Sequence, residues 1–590
     1  MTSAAPDAAS GGDGRPASQV TLNHRRHSRT DSASDTHGSD ALTTTPSSPC
    51  PLTDGGDSST ATLRETDPLL MRPSSTSTLP FRNYHTSLET QSVYLESTPD
   101  FHLPGGPIPL FPHEPVPTVK ELRREIYNLF RMMLPITGAY VLQFSMSVAN
   151  IFFIGHLGAQ ELAAAALGNM FAGVTGWAVG VGLNTALDTL CSQTFTGSDD
   201  IRMVGVYLQK GILLMMIVLA AISVIWWNAE SLFLALQQEP QLASQCALYL
   251  RYLLPGAFPF LMCECIKRFL QGQGIMHAST SILIFVAPLN VVLNYLLVWH
   301  PSTAIGFVGA PLANSISYWI MFILFVLYVR FVGGGEAWGG WDRRCLQGWR
   351  HFITLALPGM VMVCCEWWAF EVVALSSSYL GTNPLAAQSI LLTTDSLLYQ
   401  LSLGLSISVN TRVGHLLGAG LARPARLSAV SSYALALVIG TVNSLFLILA
   451  RKEWGFLFND DPNVAEIVAS VMPIMALCQT CDAVAGVGSG ILRGQGRQRV
   501  GAILNMLSYY IVAIPLGIFL AYPLGLGAGG LWWGLGAALL IVACSQVYFT
   551  MSSDWGAIVR NCQSHLQKAG LEETSNFGED ELEDDRLTIP

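Results

Sequence analysis

Residues 352–379 read FITLALPGMVMVCCEWWAFEVVALSSSY, a stretch with two glutamates and no lysine or arginine. A helix of about 20 apolar residues is long enough to cross a hydrocarbon core of about 30 Å. This stretch is therefore predicted to span a membrane. A carboxylate at the depth of Glu366 is costly in a bilayer and is usually functional. Stretches of this kind recur along the chain and decide its fold class.

Eleven further apolar runs of about 20 residues or more lie between residues 131 and 551, bounded by short polar segments. Together with the first run they predict an all-α membrane protein with twelve transmembrane helices. The eleven runs cover residues 131–154, 163–190, 204–228, 243–266, 278–299, 306–330, 385–410, 427–450, 464–491, 499–521 and 526–551.

The composition supports a membrane protein and disfavours several other classes. Of 590 residues, 51% are hydrophobic and 12% are charged, whereas soluble domains carry about 25% charged residues. The net charge is −10, and residues 132–551 hold 17 basic and 17 acidic residues, so the net charge lies in the tails. We expect neither an enzyme nor a nucleic-acid-binding protein. We also expect no metal and no cofactor apart from a coupling ion.

Lysine and arginine concentrate in alternate loops, which predicts the orientation of the spans. The poorer set of loops has Arg451 and Lys452, and the basic residues before the first span lie on the richer side. Both termini are therefore predicted to be cytoplasmic. The richer set comprises Lys267, Arg268, Arg330, Arg343, Arg344, Arg350, Arg412, Arg423, Arg426, Arg493, Arg497 and Arg499.

Two halves of the chain match each other at a nearly constant offset. Leu134-Pro135 aligns with Leu357-Pro358, and Gln271-Gly272-Gln273-Gly274 aligns with Arg493-Gly494-Gln495-Gly496. Each half has six spans, an even number, so both halves enter the membrane from the same side. This predicts two six-helix lobes related by a parallel internal repeat, with a substrate path between them.

The repeat and the tails divide the chain into four predicted parts. The first hundred residues include 48 serine, threonine, proline or glycine residues and no tryptophan, a composition typical of disorder. No cleavable signal peptide is expected there. The four parts are a disordered cytoplasmic tail (1–118), an N-lobe (119–333), a C-lobe (334–551) and an acidic cytoplasmic tail (552–590).

Four carboxylates within the spans belong to the second half and are the candidate coupling site: Glu366, Glu371, Asp395 and Asp482. No lysine or arginine within the spans is expected to neutralise them. Carboxylates crowded in a low dielectric titrate as a coupled set and can carry protons across the membrane. The alternative is a set of permanently protonated, hydrogen-bonded structural acids.

The neighbours of Glu366 suggest a substrate class. Glu371 lies five residues further on, about 140° around the helix, so the two glutamates cannot share one face. Trp367 and Trp368 could attract organic cations through cation–π interactions, or they could face lipid or pack. Gln143 aligns with Glu366 across the repeat and, like Asn184, is a substrate-binding candidate.

Two acids in the first half lie near helix ends. Asp188 is a gate candidate, with a polar cap as the alternative. Glu264 can pair with Lys267 and Arg268, which follow it by three and four residues on the same helix face. We expect these three side chains at a water-exposed helix end, without a part in coupling.

A short motif in the first tail bears on location. Glu65-Thr66-Asp67-Pro68-Leu69-Leu70 resembles an acidic dileucine signal that adaptor complexes read. Glu65, Leu69 and Leu70 would direct the protein to the vacuolar membrane, with an adaptor complex as partner. The plasma membrane is the alternative, and chance occurrence of the motif is the competing interpretation.

Several motifs resemble those of eukaryotic multidrug and toxic-compound extrusion (MATE) transporters, especially fungal ones. They are CCEWWAFE at 364–371, NTALDTLCSQ at 184–193, TRVGHLLGAG at 411–420 and GILRGQG at 490–496, and the likeness extends over about residues 120–551. The resemblance implies an antiporter with family acids at Glu366 and Asp482. Asn150 takes the place of a bacterial span-one aspartate, and Thr393 stands where some animal members have glutamate. The role given to Asp395 is therefore a separate inference.

The sequence thus predicts a monomeric MATE-type antiporter that exchanges protons for organic cations, xenobiotics or metabolites across a lipid bilayer. Sodium coupling and a dedicated vacuolar metabolite exchanger are the alternatives within transport. A lipid flippase-like protein and a transporter-shaped sensor are the alternatives from other classes.

Overall fold

The computed structural model describes residues 118–459 and 461–568. The predicted disordered tail up to residue 117, including Glu65, Leu69 and Leu70, lies outside the described residues. So does the end of the acidic tail beyond residue 568.

Twelve helices within the described residues are long and apolar enough to cross a membrane, which confirms the predicted fold class. A further helix, α13, covers residues 555–568. The twelve spans are α1 Val119–Gly155, α2 Gln160–Gly197, α3 Met203–Trp227, α4 Pro240–Gly272, α5 Ala278–Trp299, α6 Gly306–Phe331, α7 Trp349–Ser378, α8 Thr382–Gly418, α9 Ala422–Ala450, α10 Pro462–Gly494, α11 Gln498–Ala521 and α12 Gly527–Met551.

The start of α1 is set by a capping box that hydropathy does not detect. The apolar run predicted a start at residue 131, but α1 begins at Val119. The Glu121 N–H donates to the Thr118 hydroxyl group at 3.3 Å, and the Glu121 carboxylate accepts the Thr118 N–H at 2.9 Å. This reciprocal pair satisfies two amides of the first turn, so the helix extends through a polar stretch.

Three helices continue past their apolar runs at one end of the molecule. We call the face where α1 begins and α12 ends the basic face, because the arginine-rich loops lie there. The runs predicted ends at residues 190, 266 and 410, whereas α2, α4 and α8 end at Gly197, Gly272 and Gly418. Polar residues in these last turns contact the other lobe, so tertiary contacts stabilise helix that hydropathy alone does not predict.

The first half of each lobe's first helix packs in the core of the other lobe. Leu129 and Met133 of α1 lie in the core formed by C-lobe helices, and Phe352 and Ala356 of α7 lie in the N-lobe core. The two pairs occupy equivalent positions in the two halves, so the exchange follows the repeat. Both helices contain a proline just beyond these residues, where each passes from one lobe to the other.

The segment between the lobes is fastened to the N-lobe. Arg344 pairs with Asp342 at 2.7 Å and with Asp200 at 3.3 Å, and the Asp342 N–H donates to Gln209 of α3 at 2.9 Å. Burial raises the pKa of Asp342, but hydrogen bonds from the Arg344 backbone and side chain outweigh this effect, and the pKa is lowered. The carboxylate therefore stays ionised and holds the connection in place.

Helices α11 and α12 approach each other through two glycines. A Cβ atom on Gly534 would lie 2.5 Å from the Gly517 Cα atom and 2.6 Å from the Ala513 carbonyl oxygen. Neither atom is the end of a flexible side chain, so the backbones would have to separate. Small residues allow this close approach between membrane helices.

We expect Gly534→Ala to lower the apparent unfolding temperature, because overpacking of this kind costs about 1–3 kcal/mol. The measurement is thermal unfolding of the detergent-solubilised protein, followed by size-exclusion fluorescence. Gly529→Ala is the matched control on α12, since its new methyl group would lie 3.4 Å from the flexible Ile474 Cδ1 atom. Equal unfolding temperatures for the two variants would contradict the packing interpretation.

Candidate functional site

Three of the predicted coupling acids lie together inside the C-lobe. Glu366 comes from α7, Asp395 from α8 and Asp482 from α10, and each lies within electrostatic range of the other two. Glu366 and Asp395 are half-buried, whereas Asp482 is 4% exposed. Three separate helices therefore bring acids from distant parts of the sequence into one cluster, which we call the carboxylate cluster.

Neutral polar side chains surround the carboxylate cluster. Tyr399 lies beside Glu366, and Gln479 Nε2 donates to Asp395 Oδ1 at 2.7 Å. Among the described residues, Asp482 Oδ2 has no hydrogen-bond partner. That oxygen is free to bind a proton or a cation.

Sequence reasoning missed Tyr399 and Gln479, although a signal was present. Tyr399 follows Asp395 by four residues, and Gln479 precedes Asp482 by three, so each shares a helix face with an acid. Polar residues at such spacing from an intramembrane carboxylate are candidate partners.

Glu371 and Trp368 lie on a different face of α7 from Glu366. Trp368 Nε1 donates to the Val174 carbonyl oxygen of α2 at 3.1 Å, so this face points at the N-lobe. Glu371 lies three residues beyond Trp368, about 60° away around the helix, whereas Glu366 lies about 160° away. The adjacent Trp367 is 36% exposed. Glu371 therefore belongs to the face between the lobes.

A second cluster of charges lies in the N-lobe near the basic face. Lys267 forms a short ion pair with Glu264, and Arg268 pairs with Asp188 at 3.3 Å and with Glu264 at 3.8 Å. The predicted pairing of Glu264 is confirmed. The predicted water-exposed setting is wrong: Glu264 is 2% exposed and Lys267 is 1% exposed, because α4 continues to Gly272 and buries these residues.

Arg493 is also placed differently from the prediction, which assigned it to a loop. It lies in the last turn of α10, 8% exposed. Its Nε atom is 3.7 Å from Asp188 Oδ2, and its Nη2 atom donates to Ser406 Oγ at 3.0 Å. Arg493 also lies within electrostatic range of Glu366, so a buried arginine does accompany the C-lobe acids. The apolar run that predicted α10 ends before Arg493, so hydropathy alone did not show that this arginine is buried beside the acids.

Gln143 and Asn184 are engaged within the N-lobe. Gln143 Oε1 accepts a hydrogen bond from Lys267 Nζ at 3.0 Å. Asn184 is buried, and its Oδ1 atom accepts from the Cys265 thiol at 3.3 Å. Gln143 thereby joins the charge cluster.

The repeated QGQG and RGQG motifs form matching contacts between the lobes at the basic face. Gln193 Nε2 donates to the Gly494 carbonyl oxygen at 2.9 Å, and His415 Nε2 donates to the Gly272 carbonyl oxygen at 2.7 Å. The two donors occupy equivalent positions in the repeat, and so do the two acceptors. The lobes are thus held together at this face by a symmetric pair of hydrogen bonds.

Twelve membrane-spanning helices in two repeated lobes, with buried charges inside and between them, define a membrane transporter. The MatE family model matches the chain twice, at residues 135–296 and 358–519. The chain belongs to the MatE family. The two matches begin at the equivalent prolines Pro135 and Pro358, which confirms the internal repeat.

Relatives in fungi, plants and animals are similar over most of the chain. An uncharacterized transporter of Schizosaccharomyces pombe is 39% identical over 76% of this chain and 83% of its own length. Protein DETOXIFICATION 16 of Arabidopsis thaliana is 33% identical over 79% of this chain and 95% of its own. Multidrug and toxin extrusion protein 1 of Xenopus tropicalis is 34% identical over 76% of this chain and 78% of its own length.

Solved structures show the same fold. The crystal structure of the eukaryotic MATE transporter AtDTX14 matches with a TM-score of 0.72 and 28% identity, over 76% of this chain and all of that one. A MATE transporter of Vibrio cholerae matches with a TM-score of 0.68 at 16% identity, over 74% of this chain and 99% of its own.

Glu264→Gln tests the buried charge cluster. The change removes one of two anions beside Lys267 and Arg268, and breaking a buried ion pair costs about 3–5 kcal/mol. We expect a marked fall in folded yield and in apparent unfolding temperature. Glu230→Gln is the control, because Glu230 pairs with Arg251 at 3.2 Å in an exposed setting, where a pair is worth about 1 kcal/mol or less. A stable, well-expressed E264Q protein would be inconsistent with a buried, fully paired cluster.

Proposed function

We propose that this transporter is a proton-coupled antiporter that exchanges protons for organic cations, xenobiotics or metabolites. The observation that carries the proposal is the carboxylate cluster of Glu366, Asp395 and Asp482 inside the C-lobe. Three carboxylates this close in a low dielectric cannot all be ionised without a counter-charge. Arg493, which is shared with Asp188, can balance at most one of the three charges. The cluster therefore holds protons or a cation, and exchange between the two is the basis of antiport.

Within the carboxylate cluster the acids act as a unit. Asp482 is the most buried and has an oxygen without a hydrogen-bond partner among the described residues, which suits it to hold the proton. Glu366 lies beside the neutral Tyr399, and Asp395 accepts a hydrogen bond from the neutral Gln479. These partners orient the carboxylates and leave their charge to be neutralised by a proton or a cation.

The face of α7 toward the N-lobe is the proposed substrate surface. Trp367 and Trp368 offer aromatic rings, and Glu371 supplies a negative charge on the same face, a combination that suits organic cations. The names of two relatives refer to multidrug and toxin extrusion and to detoxification, which supports a substrate range of this kind. Gln143 and Asn184 would contribute once the lobes rearrange.

We assign the basic face to the cytoplasm, so both termini are cytoplasmic. Asp188 then acts at the cytoplasmic gate, because it pairs with Arg268 in its own lobe and with Arg493 across the lobes. The hydrogen bonds of Gln193 and His415 close the same face. With this face closed, substrate and protons exchange through the opposite face, which corresponds to alternating access in a repeated transporter.

Sodium coupling is the second candidate within transport. Sodium prefers several oxygen ligands, and the position of the bacterial span-one aspartate holds the neutral Asn150, which donates to the Tyr249 hydroxyl group at 2.9 Å. This neutral N-lobe site favours protons at the C-lobe site. Uptake driven by an imposed pH gradient without sodium separates the two, and it also separates antiport from a flippase-like protein or a sensor.

Glu366→Gln should abolish pH-driven exchange in proteoliposomes while leaving folded protein intact, since the carboxylate cluster loses a proton carrier. Asp482→Asn should impair exchange nearly as severely, because the acids act as one set. Substrate is identified first by screening organic cations in a transporter-deficient strain. Glu336→Gln is the matched control at an exposed position outside the spans. Normal pH-driven exchange by E366Q would overturn the assignment of the coupling site.

The proposed location is the vacuolar membrane, reached through Glu65, Leu69 and Leu70. An acidic vacuolar lumen would supply the protons that exchange for cytosolic substrate. The motif is separated from α1 by 48 residues, and a flexible linker of that length reaches about 40 Å, which is enough for an adaptor complex at the membrane.

Replacing both Leu69 and Leu70 with alanine should shift a fluorescently tagged protein from the vacuole toward the plasma membrane. Fluorescence microscopy of both proteins at equal expression provides the measurement, and replacement of Leu79 by alanine in the same tail is the control. A wild-type protein already at the plasma membrane would refute the sorting signal, while the antiport proposal would stand.

A further inference from the structure

Arg493 is a buried arginine that belongs to one lobe and is paired with an acid of the other. Its Nε atom lies 3.7 Å from Asp188 Oδ2. This distance is too long for a hydrogen bond, and Nε has no hydrogen-bond partner among the described residues. By contrast, Lys267 and Glu264 form a close pair within one helix. The contact between the lobes is therefore an ion pair without a hydrogen bond.

The charges around Asp188 balance without Arg493. Asp188 and Glu264 carry two negative charges, and Lys267 and Arg268 carry two positive charges, all within the N-lobe. If the lobes separate at the basic face, the N-lobe keeps a neutral cluster. The C-lobe keeps Arg493 without its acidic partner across the lobes, and the acid that remains within its electrostatic range is Glu366.

The repeat shows that the fold does not require this ion pair. The position equivalent to Arg493 is Gln271, and the position equivalent to Asp188 is Asn410, both neutral. The neutral hydrogen bonds of Gln193 and His415 are present on both sides of the repeat. The Arg493–Asp188 ion pair is thus present at only one of the two equivalent positions of the repeat. It makes closure of the basic face depend on charge.

We propose that Arg493 is a positioning residue that exchanges its counter-charge between Asp188, when the basic face is closed, and the carboxylate cluster, when that face is open. Arg493 already lies within electrostatic range of Glu366. Asp482 lies eleven residues earlier on the same face of α10, about 16 Å along the helix axis. The acids of its own lobe are therefore the available partners after separation.

The direction of coupling follows from this exchange and rests on the proposed antiport. An ionised carboxylate cluster stabilises Arg493 in the open state. A proton or an organic cation on the cluster weakens that stabilisation and shifts the equilibrium toward the Arg493–Asp188 pair and a closed basic face. The proton-loaded protein still opens this face at times, which releases the proton to the cytoplasm. Besides the three acids and Arg493, the titratable groups within electrostatic range of the cluster are Tyr399 of α8, Tyr509 of α11, and Cys478 and Cys481 of α10. The tyrosines and cysteines are neutral when protonated and do not replace the missing negative charge.

The test measures opening of the basic face directly and needs no transported substrate. Thr196, whose hydroxyl group donates to the His415 carbonyl oxygen across the lobes at 2.7 Å, is replaced by cysteine in a cysteine-free protein in lipid nanodiscs. The labelling rate is measured with a water-soluble maleimide at pH values on the acidic and alkaline sides of neutrality. At each pH it is divided by the rate for the denatured protein, because maleimide reacts with the thiolate form of cysteine. Hydrogen exchange at the ends of α2 and α8 provides a second readout without the reporter.

We expect Arg493→Gln and Asp188→Asn each to raise the labelling rate on the order of tenfold at the pH below neutrality, because each variant removes the ion pair that closes the basic face. An effect of this size is within the usual range of coupling between sites. The double variant should add little to either single variant, and Arg493→Lys should restore most of the closure. In the wild type, labelling should increase toward alkaline pH, and Arg493→Gln should remove most of this dependence. Arg412→Gln is the matched control, because Arg412 pairs at 2.9 Å with Glu125 in the part of α1 that packs with the C-lobe, in a more exposed setting.

Wild-type labelling rates in both R493Q and D188N, or an unchanged pH dependence in R493Q, would overturn the inference. If R493Q does not fold, D188N tests the Arg493–Asp188 pair by removing the acid. R493K then tests whether a positive charge at residue 493 is enough for closure. A protein that fails to exchange protons for substrate but shows the expected labelling would refute the antiport proposal and leave the role of Arg493 in closure intact.

Discussion

Burial of charge inside a membrane protein constrains this structure more than any other interaction. An ion moved out of water loses several kcal/mol of solvation, which only a well-placed counter-charge or a proton can offset. The N-lobe meets this constraint internally, because Glu264 and Asp188 are matched by Lys267 and Arg268. The C-lobe does not, since its three clustered acids lie beside neutral partners and one shared arginine. This imbalance suits the C-lobe to bind ions.

The internal repeat explains how the two lobes are held together. Gln193 and His415 make equivalent hydrogen bonds to the ends of α10 and α4. The first halves of α1 and α7 exchange between the lobe cores in the same equivalent way. These symmetric contacts join the two lobes in the same way on both sides of the repeat. The charges break the symmetry, because the acids of the carboxylate cluster and Arg493 have neutral residues at the equivalent positions in the first half.

Function in this fold depends on the residues at the helix ends as much as on those in the membrane-spanning parts of the helices. The last turns of α2, α4, α8 and α10 carry the motifs that join the lobes at the basic face, and they also carry or bury the charges of that face. These turns are too polar to count as membrane-spanning by hydropathy. They are helical because backbone hydrogen bonds continue and the opposite lobe supplies polar partners. Apart from Asp188, the proposed gate is thus built from residues that a hydropathy profile assigns to loops.

The sequence by itself determined the twelve spans, the repeat, and which carboxylates lie at membrane depth. Length, hydropathy and spacing along one chain are enough for each of these. The pairing of Glu264 with Lys267 was also predictable, since both residues lie on one helix face. Only the tertiary structure decided that this pair is buried, that Arg493 contacts Asp188, and that Glu366, Asp395 and Asp482 meet. Those contacts join residues from different helices, and their relative rotation and depth depend on packing that no local pattern encodes.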